Sequence, residues 1–189
     1  MKPTLSAMYQ GEAISVLTRA WQLTGDERFL DAAQGCLLPF TRMIVDQGVT
    51  HPFRGDNKIK WYEEVTRLPI GHILNGMIYA LWGIRDLKIS TGDELANELF
   101  EEGIQSVELA LNHFDSGFWS YNTIGEDDTS NYIASMMYHN LHIVQLNALH
   151  EQTGKQLFRD TANRFNSYGL HAANRIRAGM VLFRQKMKS

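Results

Sequence analysis

The sequence repeats one short turn three times, as Leu23-Thr24-Gly25-Asp26, Ser90-Thr91-Gly92-Asp93 and Gln152-Thr153-Gly154-Lys155. Glycine accepts the left-handed conformation that ends a helix, and an aspartate after it can cap the next helix. Successive glycines are 67 and then 62 residues apart, which is too irregular for a strict solenoid. We therefore predict three antiparallel helix hairpins in one chain.

Apolar residues recur at helical intervals on both sides of these turns, as in amphipathic helices with one buried face. The predicted buried faces are Ile14, Leu17 and Trp21; Phe29, Ala32, Cys36, Leu37 and Phe40; Phe100, Ile104, Val107, Leu111 and Phe114; Ile133, Met137, Leu141 and Val144; and Phe158, Ala162 and Phe165. Residues 69–89 are more evenly apolar and predict an interior helix. The predicted fold is all-α, an (α/α) toroid or partial toroid, with residues 1–189 forming a single domain.

Two non-helical insertions interrupt the hairpins, at residues 48–66 and 115–131. The alternating stretch Lys58-Ile59-Lys60-Trp61-Tyr62 in the first insertion predicts a short β-hairpin. Long connections in a compact helical domain are often functional. Both insertions are therefore candidate functional regions.

Composition narrows the classes of function. The net charge of −3 gives no sign of the broad basic surface that would bind nucleic acid or an anionic membrane. A polyanionic glycan could still bind in a local cationic cleft. The single cysteine, Cys36, cannot form an intrachain disulfide and is expected in the core. The N-terminus shows no apolar signal core, so a cytoplasmic location is expected. The longest apolar stretch, residues 68–84, is interrupted by His72 and Asn75 and predicts a buried helix.

The first candidate site is Trp61-Tyr62-Glu63-Glu64. An aromatic ring can stack on a pyranose while a carboxylate accepts its hydroxyl protons, and nearby cations such as Arg54 can attract a carboxylated sugar. The alternative is an ordinary strand with an exposed acidic end.

The second candidate is the helical segment Tyr138-His139-Asn140-Leu141-His142. Tyr138, His142 and Gln145 share one helix face, so they need hydrogen-bond partners or line a wet cleft. A zinc site would need a third ligand and the spacing of known motifs, and neither is visible. We expect no metal and no cofactor.

The third candidate is the aromatic loop Gly117-Phe118-Trp119-Ser120-Tyr121-Asn122. It is either packing at the end of the hairpins or a carbohydrate platform with a reactive phenol.

These segments together resemble the C-terminal helical domain of the D-glucuronate 5-epimerases. Four blocks occur in the family's order across nearly the whole chain: Ser6–Leu17 (A-M-x-Q-G-Q-A-I-S-x-L), Trp61–Glu64 with Pro69 and Ile73–Leu81 (W-Y-E-E-Y-P…V-L-N-G-F-x-Y-x-L), Asp115-Ser116-Gly117 (D-T-G), and Tyr138–Leu146 (Y-H-x-x-H-I-x-Q-L). The resemblance implies that the protein abstracts the proton on carbon 5 of a uronate in a polysaccharide and returns a proton on the opposite face.

The resemblance also implies which residues act. Glu64 and Tyr138 match functional residues, and Tyr121 matches a functional tyrosine if a one-residue gap precedes it; otherwise Asn122 takes that place. The expected substrate-binding residues are Trp61, Tyr62, Asn75, His139, His142, Gln145, Arg54 and Trp119. The expected partner is a uronate-containing polysaccharide, without nucleic acid or membrane. A homodimer or a separate β-domain partner fits the family, whose enzymes also carry β-rich N-terminal domains.

This chain departs from the family pattern at two places. Val65 stands where the family has a tyrosine after its glutamate, and the basic residue usual just after the loop tyrosine is missing. Two alternatives to the epimerase therefore stay open: a glycan-binding module or inactive relative, and a uronate lyase.

Overall fold

The computed structural model describes residues 5–187, apart from the side chain of Thr129; the outermost residues of the predicted 1–189 domain lie outside this range. The described chain is mostly helical, with small antiparallel sheets. Its α-helices are α1 (Ala7–Thr24), α2 (Glu27–Gly35), α3 (Leu74–Thr91), α4 (Glu94–Ala110), α5 (Met136–Thr153), α6 (Gln156–Leu170) and α7 (Ala172–Lys186). Its strands are β1 (Thr50–Phe53), β2 (Asp56–Tyr62), β3 (Gly71–Ile73), β4 (Tyr121–Gly125) and β5 (Tyr132–Ile133). Short 3-10 helices occur at Leu38–Thr41, Ile44–Asp46, Leu111–Phe114 and Asp128–Ser130.

The chain divides into two compact units. The first unit comprises Met1–His72 and Gly76–Leu109, and the second comprises Ile73–Asn75 and Ala110–Ser189. No helix in the described range is long and apolar enough to cross a membrane.

The three predicted turns are confirmed, and a threonine strengthens each one. Gly25, Gly92 and Gly154 have φ of 68°, 73° and 72°. The preceding threonine donates its hydroxyl to a carbonyl one turn back at 2.6–2.8 Å and accepts the amide N–H two residues on. Asp26 and Asp93 cap the following helices as predicted, whereas Lys155 provides no side-chain cap.

In the first unit, α1 and α3 meet through small residues. A Cβ atom on Gly11 would lie 2.6 Å from Cα of Ala80, and a Cβ atom on Gly83 would overlap the carbonyl oxygen of Gly11. The two backbones are therefore in direct contact. The interior helix predicted at residues 69–89 is confirmed as α3, but it begins only at Leu74 because Gly71–Ile73 form β3. In α3, Met77, Ile78, Leu81, Ile84 and Leu87 are fully buried.

The predicted hairpin in the first insertion is also confirmed. Strands β1 and β2 pair antiparallel, with Thr50 opposite Tyr62. Arg54 and Gly55 connect the strands with φ of 51° and 77°, as in the two-residue turns that match strand twist.

In the second unit, the predicted buried face of α5 is wrong. Ile133 belongs to β5, while Met137 and Val144 are 66% and 62% exposed. The face that is buried carries the polar residues together with two leucines: His139, His142, Gln145, Leu146 and Leu149. Polar groups occupy this interior because partners from distant segments reach them, as described below.

Two smaller expectations also change. Ala32 is exposed and its neighbour Ala33 is buried, while Cys36 is half-buried just beyond α2. Helix α7 was not predicted. It packs on α6 and β5, where the Gln185 side chain accepts the N–H of Ile133 at 3.3 Å and donates to the carbonyl of Asn131 at 2.9 Å.

Candidate functional site

The aromatic pair of the first candidate site belongs to the core. Trp61 and Tyr62 are 0% exposed, and the Tyr62 hydroxyl donates to the carbonyl of Leu99 at 2.8 Å. Phe53 packs on Trp61, and Phe40 packs edge-on against Tyr62, at centroid distances of 5.2 and 5.1 Å. Neither ring offers a face for a sugar, so the expectation that they stack on substrate is not supported. Their role here is to anchor the segment that carries the two glutamates.

Glu63 forms a buried pair with His72, which the sequence did not reveal. Glu63 Oε1 lies 2.6 Å from His72 Nδ1, and both side chains are fully buried. The backbone N–H of Arg54 donates to His72 Nε2 at 3.0 Å. Because that N–H can only donate, Nε2 is an acceptor and Nδ1 carries the proton donated to Glu63. Arg54 thus contributes to this site through its backbone, in addition to the guanidinium expected from the sequence.

Glu64 lies half-buried against the first turn of α3. Its Oε2 atom is buried without a hydrogen-bond partner among the described residues. A Cβ atom on Gly76 would overlap that oxygen, so the glycine is what gives the carboxyl its place. Burial, and secondarily the charge of Glu12, raises the pKa of Glu64. A carboxyl group with a raised pKa holds its proton more readily and suits general acid–base work.

The second unit brings two candidate tyrosines to one aromatic cluster. The cluster consists of Phe118, Trp119, Ile133, Ala134 and Ala178. Both Tyr121 and Tyr138 pack against it and are half-buried. Neighbouring residues on a strand point to opposite faces. Tyr121 packs on the cluster, and Asn122 is the next residue of the same strand.

Trp119 is part of this core and does not form an open platform. It is 1% exposed, and its Nε1–H donates to the carbonyl of Ala134 at 2.9 Å. Its indole stacks on the ring of His139, with centroids 3.7 Å apart and planes 12° from parallel. The expected substrate contact by Trp119 is therefore not supported, and its ring supports the helix that carries Tyr138.

A buried network joins the two tyrosine-bearing segments. Ser120, next to Tyr121, contacts His139, next to Tyr138: its N–H and hydroxyl lie 3.2 and 2.9 Å from His139 Nδ1. His139 Nε2 faces the carbonyl of Phe165 at 3.0 Å, so Nε2 carries the proton and Nδ1 accepts. Both nitrogens of His139 are therefore used inside the protein, which leaves none for a metal.

His142 extends the network inward. Its Nδ1 lies 3.0 Å from the Ser120 hydroxyl, while Nε2 is buried without a partner among the described residues. Burial, followed by the nearby His139, lowers the pKa of His142 to about 3. His142 is therefore neutral at physiological pH and cannot bind a carboxylate as a cation.

Gln145 and Asn75 complete this buried layer. The Gln145 side chain donates to the carbonyl of Asn75 at 3.2 Å, and the side-chain carbonyl oxygens of both residues are buried and unpartnered in the described chain. Asn75 is 5% exposed, while His139, His142 and Gln145 are fully buried. These four predicted substrate-binding residues lie beneath the surface, where they hold α5 and the aromatic loop in place. Tyr138, His142 and Gln145 were predicted to share one helix face, and among these three Tyr138 alone is half-exposed.

The sequence analysis gave no role to Ser120, Gly76 or the Glu63–His72 pair, although Ser120 and Glu63 lie within candidate segments. Gly76 could have been found, because it belongs to the Asn75-Gly76 pair of the resemblance and glycine inside a helix implies close approach of another group. Ser120 gave no such signal, because its partners are about twenty residues away in sequence.

The chain is similar to known proteins over most of its length. A family model described as D-glucuronyl C5-epimerase C-terminus matches residues 1–167. The chain is 32% identical over 177 residues to a D-glucuronyl C5-epimerase of Caenorhabditis elegans, covering 86% of this chain and 28% of that protein. It is 29% identical over 154 residues to an uncharacterized protein of Methanocaldococcus jannaschii, covering 80% of this chain and 48% of that protein.

The chain thus spans less than half the length of either relative. The match nevertheless includes Glu64, Gly76, the aromatic loop and the tyrosine-bearing helix α5. On this evidence, the chain belongs to the D-glucuronyl C5-epimerase C-terminal family.

Proposed function

We propose that this protein is a uronate epimerase that acts at carbon 5 of glucuronate units in a polysaccharide. The observation that carries the proposal is the pair Tyr121 and Tyr138, half-buried on one aromatic cluster. The Ser120–His139 contacts support it. Ser120 precedes Tyr121 and His139 follows Tyr138, so these contacts hold the two tyrosine-bearing segments together. Two phenols held in this way suit a reaction that needs an acid and a base.

The chemistry requires one group to remove a proton and another to return one. In the proposed reaction a phenolate oxygen of Tyr138 takes the proton on carbon 5, and the C–H electron pair moves into the neighbouring carboxylate. Tyr121 or Glu64 then gives a proton to the opposite face of carbon 5, which leaves the epimer. A tyrosine has a reference pKa of about 10, so the base needs stabilisation of its anion. Charge developing on the carboxylate needs stabilisation as well.

The substrate and assembly belong to the same proposal. The family match supports a uronate-containing polysaccharide as substrate. Three further predictions remain for experiment. The protein forms a homodimer or binds a β-domain partner, residues 1–189 act as one domain, and the hairpins close into an (α/α) toroid.

A non-catalytic glycan-binding module is the second candidate. The observation favouring it is Val65, which is 44% exposed where the family carries a tyrosine. A valine cannot exchange protons, so one acid–base group is lost. A uronate lyase, which needs one base and a leaving group, is a third possibility.

Solvent exchange separates these candidates. The protein is incubated in heavy water with a panel of glucuronate polymers, and deuterium at carbon 5 is measured by NMR and mass spectrometry. Tyr138→Phe should abolish exchange, while the exposed Tyr132→Phe serves as the matched control and should retain it. Glycan binding without any exchange would refute the epimerase in favour of the module. An unsaturated product absorbing in the ultraviolet would identify the lyase.

A further inference from the structure

The last part of the chain has a charge opposite to the rest. Residues 161–189 contain no aspartate or glutamate but carry six cations: Arg164, Arg175, Arg177, Arg184, Lys186 and Lys188. Since the whole chain has a net charge of −3, the preceding 160 residues carry −9. Most of these cations lie on α7, beyond the residues that the family model matches.

One of them reaches the aromatic cluster. The guanidinium carbon of Arg177 lies 3.8 Å from the centroid of the Phe118 ring, a cation–π contact. The next residue, Ala178, is buried in the same cluster, so α7 holds Arg177 in place. Tyr121 and Tyr138 pack on this cluster too. Arg177 thus stands at the cluster that carries both candidate acid–base groups.

Among the other cations of this region, Arg164 is already paired. Arg164 donates to Asp115 at 2.6 Å, and Tyr168 donates to the same carboxylate. Arg177 has no carboxylate within 4.0 Å among the described residues, and its side chain is exposed. It is a guanidinium that the fold places on the cluster with its donors still available.

We infer that Arg177 binds the carboxylate of the uronate whose carbon 5 faces Tyr121 and Tyr138. The inference rests on the proposed function and adds a recognition residue from outside the matched family region. A guanidinium suits this role because it can donate two parallel hydrogen bonds to a carboxylate. Its charge also stabilises the negative charge that builds on that carboxylate when the proton leaves. The family usually has a basic residue just after the loop tyrosine, and this sequence lacks it. In this role Arg177 supplies a positive charge from α7 instead.

The test compares two ligands that differ only at the carboxylate. Binding of glucuronate oligosaccharides and of their carboxyl-reduced, glucose-containing counterparts is measured by calorimetry at fixed salt concentration. Wild type should prefer the carboxylated ligand, and Arg177→Gln should lose that preference by on the order of tenfold to a hundredfold in Kd. Arg177→Lys should retain part of it. Arg175→Gln is the matched control, since Arg175 is exposed on the same helix and about 200° away around it.

The outcomes separate this inference from the proposed function. If wild type shows no preference for the carboxylated ligand, both fail. If wild type prefers it and Arg177→Gln retains the full preference, the inference fails while the proposed function stands. If Arg175→Gln loses as much as Arg177→Gln, the effect is the general charge of α7, and the assignment to Arg177 is overturned. Unfolding curves of the three variants exclude loss of fold as the cause.

Discussion

Substituting Gly76 with alanine tests the placement of Glu64 directly. A Cβ atom at this position would lie within 2.8 Å of the Glu64 Cβ atom and closer still to Oε2. Ordinary contacts begin near 3.4 Å, so the carboxyl group must retreat by about 1 Å. Forcing extra atoms into a packed site costs about 1–3 kcal/mol. Alanine recovers about 0.5–1 kcal/mol through its better helix propensity.

We therefore expect Gly76→Ala to lower the free energy of unfolding by up to about 2 kcal/mol. For a chain of this size that corresponds to a fall in Tm of up to about 8 °C. Gly179→Ala is the matched control, because a Cβ atom there meets nothing within 4 Å; it should stabilise by about 0.5–1 kcal/mol. The assays are urea and thermal unfolding, together with the carbon-13 NMR signal of the Glu64 carboxyl group.

A double-mutant cycle shows whether Glu64 is the obstacle. In a Glu64→Ala background the contacts of Gly76→Ala with Oε2 and Cδ are gone, so the substitution should become less costly. Two results together would refute the reasoning: Gly76→Ala as stable as Gly179→Ala, and an unchanged Glu64 carboxyl signal. They would mean that the carboxyl group does not lie against α3. Under the proposed function, the displaced carboxyl should also lower the rate of heavy-water exchange.

Three further predictions concern protonation and the buried network. Because the pKa of Glu64 is raised above 4.5, the folded state holds a proton that the unfolded chain releases. Stability should fall as pH rises from 4.5 through the folded pKa, and Glu64→Gln should flatten this slope in pH-dependent unfolding. The pKa of His142 is lowered instead, so stability should fall as pH drops from 6.5 towards about 3, and an equal slope in His142→Gln would contradict this. Ser120→Ala leaves the buried His142 Nδ1 without its partner, while the backbone N–H at position 120 still donates to His139 Nδ1, and should cost about 1–3 kcal/mol in unfolding experiments. The exposed Ser167→Ala should stay within about 0.5 kcal/mol of wild type.

Local features of the sequence predicted local features of the fold well. The Thr-Gly turns at Gly25, Gly92 and Gly154 were predictable because their hydrogen bonds join residues at most four apart. The β1–β2 hairpin was predictable from alternating residues. The family was recognisable because its blocks are contiguous runs of residues.

The candidate site was predictable in part. Tyr138 and Tyr121 were identified by matching, and the structure places both on one cluster. Trp61, Trp119 and His142 were also expected to face a ligand, but all three side chains are buried. Residue type alone does not distinguish a sugar-stacking ring from a core ring, because both require the same flat apolar surface.

By itself, the sequence determined the helix hairpins, their turns, the β-hairpin and the family, since all of these depend on neighbours along the chain. The tertiary structure alone decided which face of α5 is buried. His139 and His142 turn inward because Ser120 and the carbonyl of Phe165 come from distant segments to meet them. It also decided the state of Glu64, whose carboxyl is buried against Gly76, and the position of Arg177 on Phe118. Burial and charge at these residues depend on long-range packing, which no local pattern records.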